Sequence, residues 1–175
     1  MDSNAELLIR SRIRDIQDYP RKGIIFKDLT PLFKDKHAFA ICMGGLSGLF
    51  QEKPDYIVGI ESRGFIIGSA LAYALGIGFV PVRKEGKLPY DRIGRKYELE
   101  YGSATLEMHR DAIERGSSVA IVDDLLATGG TANAAAELVE ELGGKISTFA
   151  FVVELTYLDG RKRLNGRHVD SLIRY

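Results

Sequence analysis

The sequence lacks tryptophan and has one cysteine, Cys42, so no disulfide can form within the chain. A lone thiol in an apolar stretch suits a reducing compartment and a buried structural role. An excess of one charge is missing too, because 24 basic and 24 acidic residues cancel. That balance removes the electrostatic reason to expect a nucleic acid or an anionic membrane as partner. No apolar run reaches the length that spans a bilayer. The first turns carry Asp2, Glu6, Arg10 and Arg12 in place of the apolar core of a secretion signal. Repeats, linkers rich in proline or serine and runs of a single charge are also absent. These absences leave a cytoplasmic protein with small ligands as the expectation, with no nucleic acid and no membrane.

What is present is apolar residue in quantity: 45% of 175 residues, enough for a single domain with a sizeable core. Apolar runs at Tyr56–Ile60, Phe79–Val82, Val119–Val122 and Thr148–Leu155 read as strands. Helical patterns at Phe65–Leu75 and Thr131–Leu142 lie among them. Short, continuous apolar strands alternating with helices predict an α/β fold, a doubly wound and mostly parallel sheet with helices on both faces. Ligands of such a sheet belong at the carboxyl ends of its strands. Upstream, Leu7, Leu8, Ile13 and Ile16 predict a helix from Asn4 to about Tyr19, ending before Pro20. A second helix is predicted over His37–Glu52, weakened by Gly44, Gly45 and Gly48. From Lys84 to Tyr101 a polar stretch precedes alternation at Tyr97, Leu99 and Tyr101, which predicts a mobile excursion with a short hairpin.

The segment with most chemical content is VAIVDDLLATGGT, Val119–Thr131. An apolar strand runs into two acids, then a small-residue loop, then a helix beginning near Thr131. Ala127, Thr128, Gly129, Gly130 and Thr131 place successive backbone N–H groups and two hydroxyls at a helix N-terminus, which suits a phosphate. Glycine there lets the backbone come close to the anion. Asp123 and Asp124, at the end of the strand, can accept hydrogen bonds from vicinal hydroxyls, as a ribose beside its own phosphate would offer. The pattern GxxxxGK[ST] of a triphosphate loop and the pattern GxGxxG of a dinucleotide fold are both missing.

This segment resembles the phosphoribosyl pyrophosphate motif of the type I phosphoribosyltransferases, in the form carried by the adenine-specific members. YPRKGIIFKDLTP (Tyr19–Pro31), ESRGF (Glu61–Phe65), RKEGKLP (Arg83–Pro89) and LEYG (Leu99–Gly102) are similar to further motifs of that family, in the same order. The resemblance covers nearly the whole chain. It implies one phosphoribosyltransferase domain over 1–175, with an N-terminal hood over about 1–33 and a lid and hairpin over about 84–101. The activity implied is purine salvage, converting adenine and 5-phosphoribosyl-1-pyrophosphate to AMP and pyrophosphate, in a homodimer.

Residue by residue, the resemblance implies that Ala127 to Thr131 hold the 5-phosphate and that Asp123 and Asp124 bind the ribose hydroxyls. It implies a non-proline cis peptide at Glu61–Ser62, which makes Glu61 and Ser62 part of the pyrophosphate site by turning backbone N–H groups and Arg63 towards it, while the role of the Glu61 side chain stays open. Arg83, Lys84 and Lys87 would neutralise the leaving group, and Lys84 to about Lys96 would form a flexible lid. In the loop GIIF, Phe26 would stack on the base while backbone groups of Ile25 and Lys27 read its edge. Glu100 would manage the proton at the imidazole nitrogen of the base, with Tyr101 beside the reacting groups. Mg²⁺ is expected to bind mainly through pyrophosphate, so no separate cluster of metal ligands is predicted. Two other readings compete: transfer to another purine, xanthine or hypoxanthine, and a non-catalytic regulator that senses phosphoribosyl pyrophosphate and binds DNA. The regulator would need a basic surface or an added module, and the sequence has neither.

Overall fold

The computed structural model describes residues 2–98 and 102–175. These fall into two compact units, one ending at Gly45 and one spanning Leu46–Tyr175.

In the first unit α1 covers Ser3–Ser11, capped by the Asp2 carboxylate, which accepts the Ala5 N–H at 2.7 Å. The helix stops well short of Tyr19. Residues Arg14–Gln17 form β1, antiparallel to β2 (Ile25–Asp28), and Ile16 faces Phe26 across the ladder. Ile16 is β-branched and gains a cross-strand aromatic partner, a pairing that spacing along one segment cannot register. Asp15 and Lys27, opposite each other, form an ion pair at 2.8 Å. The connecting turn holds a cis Tyr19–Pro20 bond and Asp18 at φ 57°, whose carboxylate takes the Gly23 N–H. Phe26 therefore sits on a strand and not in a loop. A short helix, α2 (Thr30–Lys34), leads to α3 (Lys36–Ser47). The Asp35 carboxylate accepts the N–H groups of His37 and Ala38 at the start of α3. α3 ends at Ser47, five residues before the predicted Glu52, and Gly48 follows in a turn.

The second unit is built on seven strands: β3 (Tyr56–Ile60), β4 (Gly78–Lys84), β5 (Arg92–Glu98), β6 (Ser103–His109), β7 (Ser118–Leu126), β8 (Lys145–Glu154) and β9 (Val169–Arg174). Their order is β5-β6-β4-β3-β7-β8-β9. The neighbours from β4 to β9 run parallel, and β6 and β5 extend the sheet antiparallel at one edge. Two helices cross over, α4 (Arg63–Leu75) between β3 and β4 and α5 (Gly130–Glu141) between β7 and β8. The two crossovers step in opposite directions from the central pair β3 and β7. Right-handed connections then place α4 and α5 on opposite faces, which is the expected doubly wound, mostly parallel α/β sheet. The order reverses between β3 and β7, so their carboxyl ends flank the crevice where such sheets bind ligands.

The core forms where β3, β7 and β8 bury Val58, Ile60, Val119, Ile121, Phe149 and Phe151. Ala132, Ala134, Ala135 and Ala136 let α5 lie close upon it. In this sheet β6 and β9 were not expected from the sequence, as β1 and β2 were not in the first unit. The hairpin is also longer than expected, with β5 paired to β6 from Arg92↔His109 to Glu98↔Ser103. Arg92 to Lys96 thus lie on a strand, each opposite a residue of β6.

Candidate functional site

The end of β7 differs from expectation in one respect: the strand continues to Leu126, so Asp123 and Asp124 lie inside it and not at its end. Pairing with β8 carries the ladder past the acids, through Leu125↔Val153 and Leu126↔Glu154. Asp124 is buried, and Arg63, the first residue of α4, places Nε 2.9 Å from its Oδ2. Among the described residues that oxygen has no hydrogen-bond donor of good geometry, so the Arg63 contact is an ion pair. The Asp123 Oδ1 accepts the Asp124 N–H at 2.9 Å. Burial raises the pKa of both carboxyls; at Asp123 the neighbouring Asp124 adds to the rise, and at Asp124 the Arg63 charge opposes it. Asp123 keeps some surface open beside the loop, yet its surroundings are crowded enough for desolvation to dominate.

After Leu126 the chain turns through Ala127, Thr128 and Gly129, and α5 starts at Gly130, one residue before Thr131. Gly129 takes φ +80°, a left-handed conformation that glycine adopts without the steric cost of a side chain. Asp123 and the residues from Leu125 to Ala132 border a small cavity of about 80 Å³, together with Phe151. The first N–H groups of α5 have no intrahelical acceptor, and the helix dipole adds partial positive charge there. Such a loop has the shape and the polarity that suit an anion.

The carboxyl end of β3 holds a second group. The peptide between Glu61 and Ser62 is cis, as the resemblance implies. Glu61, whose side-chain role the sequence left open, is the hub: its side chain is 7% exposed and faces two cations at and just beyond the end of β4. The Arg83 Nε lies 3.3 Å from Oε2, the Lys87 Nζ donates to Oε1, and the Lys84 backbone N–H donates to Oε2 at 3.0 Å. Burial opposes the charge of Glu61, but the Lys87 bond, the Lys84 N–H and the two cations outweigh it and hold the carboxyl below its ordinary value. Arg83 also donates to the Lys87 carbonyl at 3.1 Å. Three cationic residues thus gather around one acid, whereas Arg63 turns to Asp124. No sequence spacing pairs Glu61 with Lys87, because the contact exists only once β3 and β4 lie side by side.

In the first unit, Phe26 packs edge-on against Tyr19, with ring centroids 5.2 Å apart, and remains partly exposed. Ile25 is exposed, and the Lys27 side chain is buried against Asp15. Glu100 and Tyr101 lie outside the described residues.

Comparison with known proteins agrees with this geometry. Residues 31–170 match the phosphoribosyl transferase domain. The chain is 55% identical over 168 residues to adenine phosphoribosyltransferase of Thermotoga neapolitana, covering 95% of this chain and 99% of that one. The crystal structure of adenine phosphoribosyltransferase from Thermoanaerobacter pseudethanolicus superposes with a TM-score of 0.95 at 53% identity, over 97% of this chain and 99% of that one. The Saccharomyces cerevisiae enzyme, solved with an imino-altritol bisphosphate and adenine, superposes at 0.92 with 44% identity, over 98% and 99%. The domain match over residues 31–170, together with identity above half across nearly the full length, places this chain in the adenine phosphoribosyltransferase family of phosphoribosyl transferases.

Proposed function

We propose that the chain transfers the phosphoribosyl group of 5-phosphoribosyl-1-pyrophosphate to adenine, forming AMP and releasing pyrophosphate. The observation that carries this reading is the arrangement at the switch point: a small-residue loop with a cavity after β7, two acids in the last residues of that strand, and Arg83 and Lys87 gathered on Glu61 at the adjacent strand ends.

In this reading the N–H groups of Ala127 to Thr131 hold the 5-phosphate, while Asp123 and Asp124 accept hydrogen bonds from the ribose hydroxyls. Displacement at C1 builds positive charge on the sugar and negative charge on the leaving group. Arg63, Arg83, Lys84 and Lys87 offset the negative charge. Glu61 and Ser62 shape the turn that faces pyrophosphate, and Glu61 keeps Arg83 and Lys87 at hand. Phe26 stacks on the purine. A two-stranded sheet leaves one edge of β2 without a strand partner, so alternate backbone groups of β2 can read the edge of the base, the role assigned to Ile25 and Lys27. Glu100 handles the proton of the base beside Tyr101.

Among the described residues no three His, Cys, Asp or Glu side chains cluster as a metal cage. Asp123 borders the cavity at the loop, and a carboxylate beside substrate phosphates fits an ion that takes most of its ligands from substrate. Mg²⁺ held by pyrophosphate oxygens near Asp123 and Asp124 would neutralise the leaving group.

The lone buried Cys42 favours a reducing compartment, here the cytoplasm, and no described helix is long and apolar enough to cross a membrane. A homodimer would bury the uncharged stripe Ile66, Ser69, Ala70 and Tyr73 on α4, of which Tyr73 is 91% exposed.

The deciding experiment offers adenine, hypoxanthine, guanine and xanthine with phosphoribosyl pyrophosphate and Mg²⁺, and measures pyrophosphate release. Adenine is expected to lead by at least about a hundredfold in kcat/KM. Equal turnover of hypoxanthine, or no turnover of any base, would overturn the assignment.

A further inference from the structure

Beyond Leu155 the chain makes two 3₁₀ turns, Thr156–Leu158 and Gly160–Leu164, and passes directly behind the small-residue loop. A β-carbon on Gly160 would collide with the Ala127 carbonyl oxygen and lie 3.1 Å from Leu126 Cδ1. A β-carbon on Gly129 would collide with the Gly160 carbonyl oxygen and lie 3.2 Å from Arg163 Cβ. Backbone therefore rests on backbone at two points, with no side chain between. Gly160 lies outside the left-handed region, so close approach alone requires glycine there.

The backing segment is itself anchored. Arg161 donates from Nε and Nη2 to the two oxygens of Glu154, at 2.5 and 2.7 Å, and from Nη1 to the Val169 carbonyl at 2.6 Å. Glu154 is buried and also accepts the Ser171 hydroxyl at 2.6 Å. The Leu155 N–H donates to the Leu126 carbonyl at 2.9 Å, tying the start of the segment to the start of the loop.

We infer that Gly160, held by the Arg161–Glu154 pair, is a positioning residue for the 5-phosphate: its backbone sets the curvature of Ala127–Gly130 so that the loop's N–H groups converge on one anion. The inference rests on the phosphate-loop role proposed above. A loop with two adjacent glycines has many conformations to lose when it binds, and a rigid backing removes much of that cost beforehand. Gly160 touches neither substrate nor reacting atoms; it acts through the loop.

The test uses ribose 5-phosphate as probe, with its affinity measured by calorimetry and its phosphorus resonance by NMR in the parent, Gly160→Ala and Arg161→Lys. The expected result for Gly160→Ala is an affinity about tenfold or more below the parent, with a displaced ³¹P resonance. KM should rise for phosphoribosyl pyrophosphate and stay within about twofold for adenine. Arg161→Lys keeps the charge but loses the paired N–H bonds, and should shift the same quantities in the same direction by less. It carries the test alone if Gly160→Ala does not fold. Parent-like affinity and resonance in the variants would overturn the inference, and so would equal rises in both KM values with a lowered Tm. A parent that fails to bind ribose 5-phosphate would overturn the phosphate-loop reading itself, and this inference with it.

Discussion

Glu61 Oε1 stands 2.5 Å from Lys87 Nζ, so a charge pair joins the turn after β3 to the segment beyond β4. In the proposed reaction the pair would hold Lys87, and Arg83 beside it, ready for pyrophosphate. Glu61→Gln keeps the shape but weakens both ion pairs, and KM for phosphoribosyl pyrophosphate should rise about threefold to tenfold while KM for adenine holds. The same carboxyl titrates below its ordinary value. Its stabilisation is therefore complete above the unfolded pKa and disappears as pH falls through the lowered folded one. Thermal melts from pH 6 down to pH 3 should show a shallower acid decline in Glu61→Gln than in the parent.

Asp123 presents the opposite sign. Burial and the neighbouring Asp124 raise its pKa, so the folded state binds a proton more readily than the unfolded chain and loses stability as pH rises from the unfolded value through the folded one. Asp123→Asn should therefore raise Tm at neutral pH. It should also cost at least about tenfold in affinity for phosphoribosyl pyrophosphate, because a charged acceptor for a ribose hydroxyl is lost. Calorimetry and melts on one preparation test both; a lowered Tm with unchanged affinity contradicts both.

Phe26 meets Tyr19 edge-on and keeps one part of its surface exposed. If that surface carries adenine, Phe26→Ala should raise KM for adenine by roughly tenfold to a hundredfold, since stacking on a base contributes about 1–3 kcal/mol. An unchanged KM with a lowered Tm would make Phe26 only a cross-strand partner of Ile16.

Burial pushes the Cys42 thiol up to about 12. Alkylation by iodoacetamide at pH 8 should then be slower than for a free thiol by at least about a thousandfold, and should reach full rate in denaturant. Rapid labelling of the folded protein would show that the side chain is reachable.

Glu100 is assigned the proton of the base. Glu100→Gln should slow single-turnover formation of AMP by about 10²–10⁴ while affinity for phosphoribosyl pyrophosphate changes little. Glu100→Ala separates proton handling from simple electrostatics, because a purely electrostatic role predicts equal impairment in the two variants. A chemical step in Glu100→Gln within about threefold of the parent would remove Glu100 from the mechanism.

The sequence by itself determined the elements whose evidence is contiguous. β3 was legible to the residue as Tyr56–Ile60, because both its faces are buried and the apolar run is unbroken. The acids, the small-residue loop and the start of α5 follow one another within Asp123–Thr131, so their chemistry could be read in line. Tertiary structure decided what depends on distant partners. Ile16 became a strand residue through Phe26, and the polar stretch from Arg92 became a strand through β6. Glu61 acquired its cations only when β4 was laid beside β3, and Gly160 came to rest on Ala127 and Gly129 after thirty or more intervening residues. Local pattern records which face of an element is apolar; which charges and which backbones then meet is set by packing between elements.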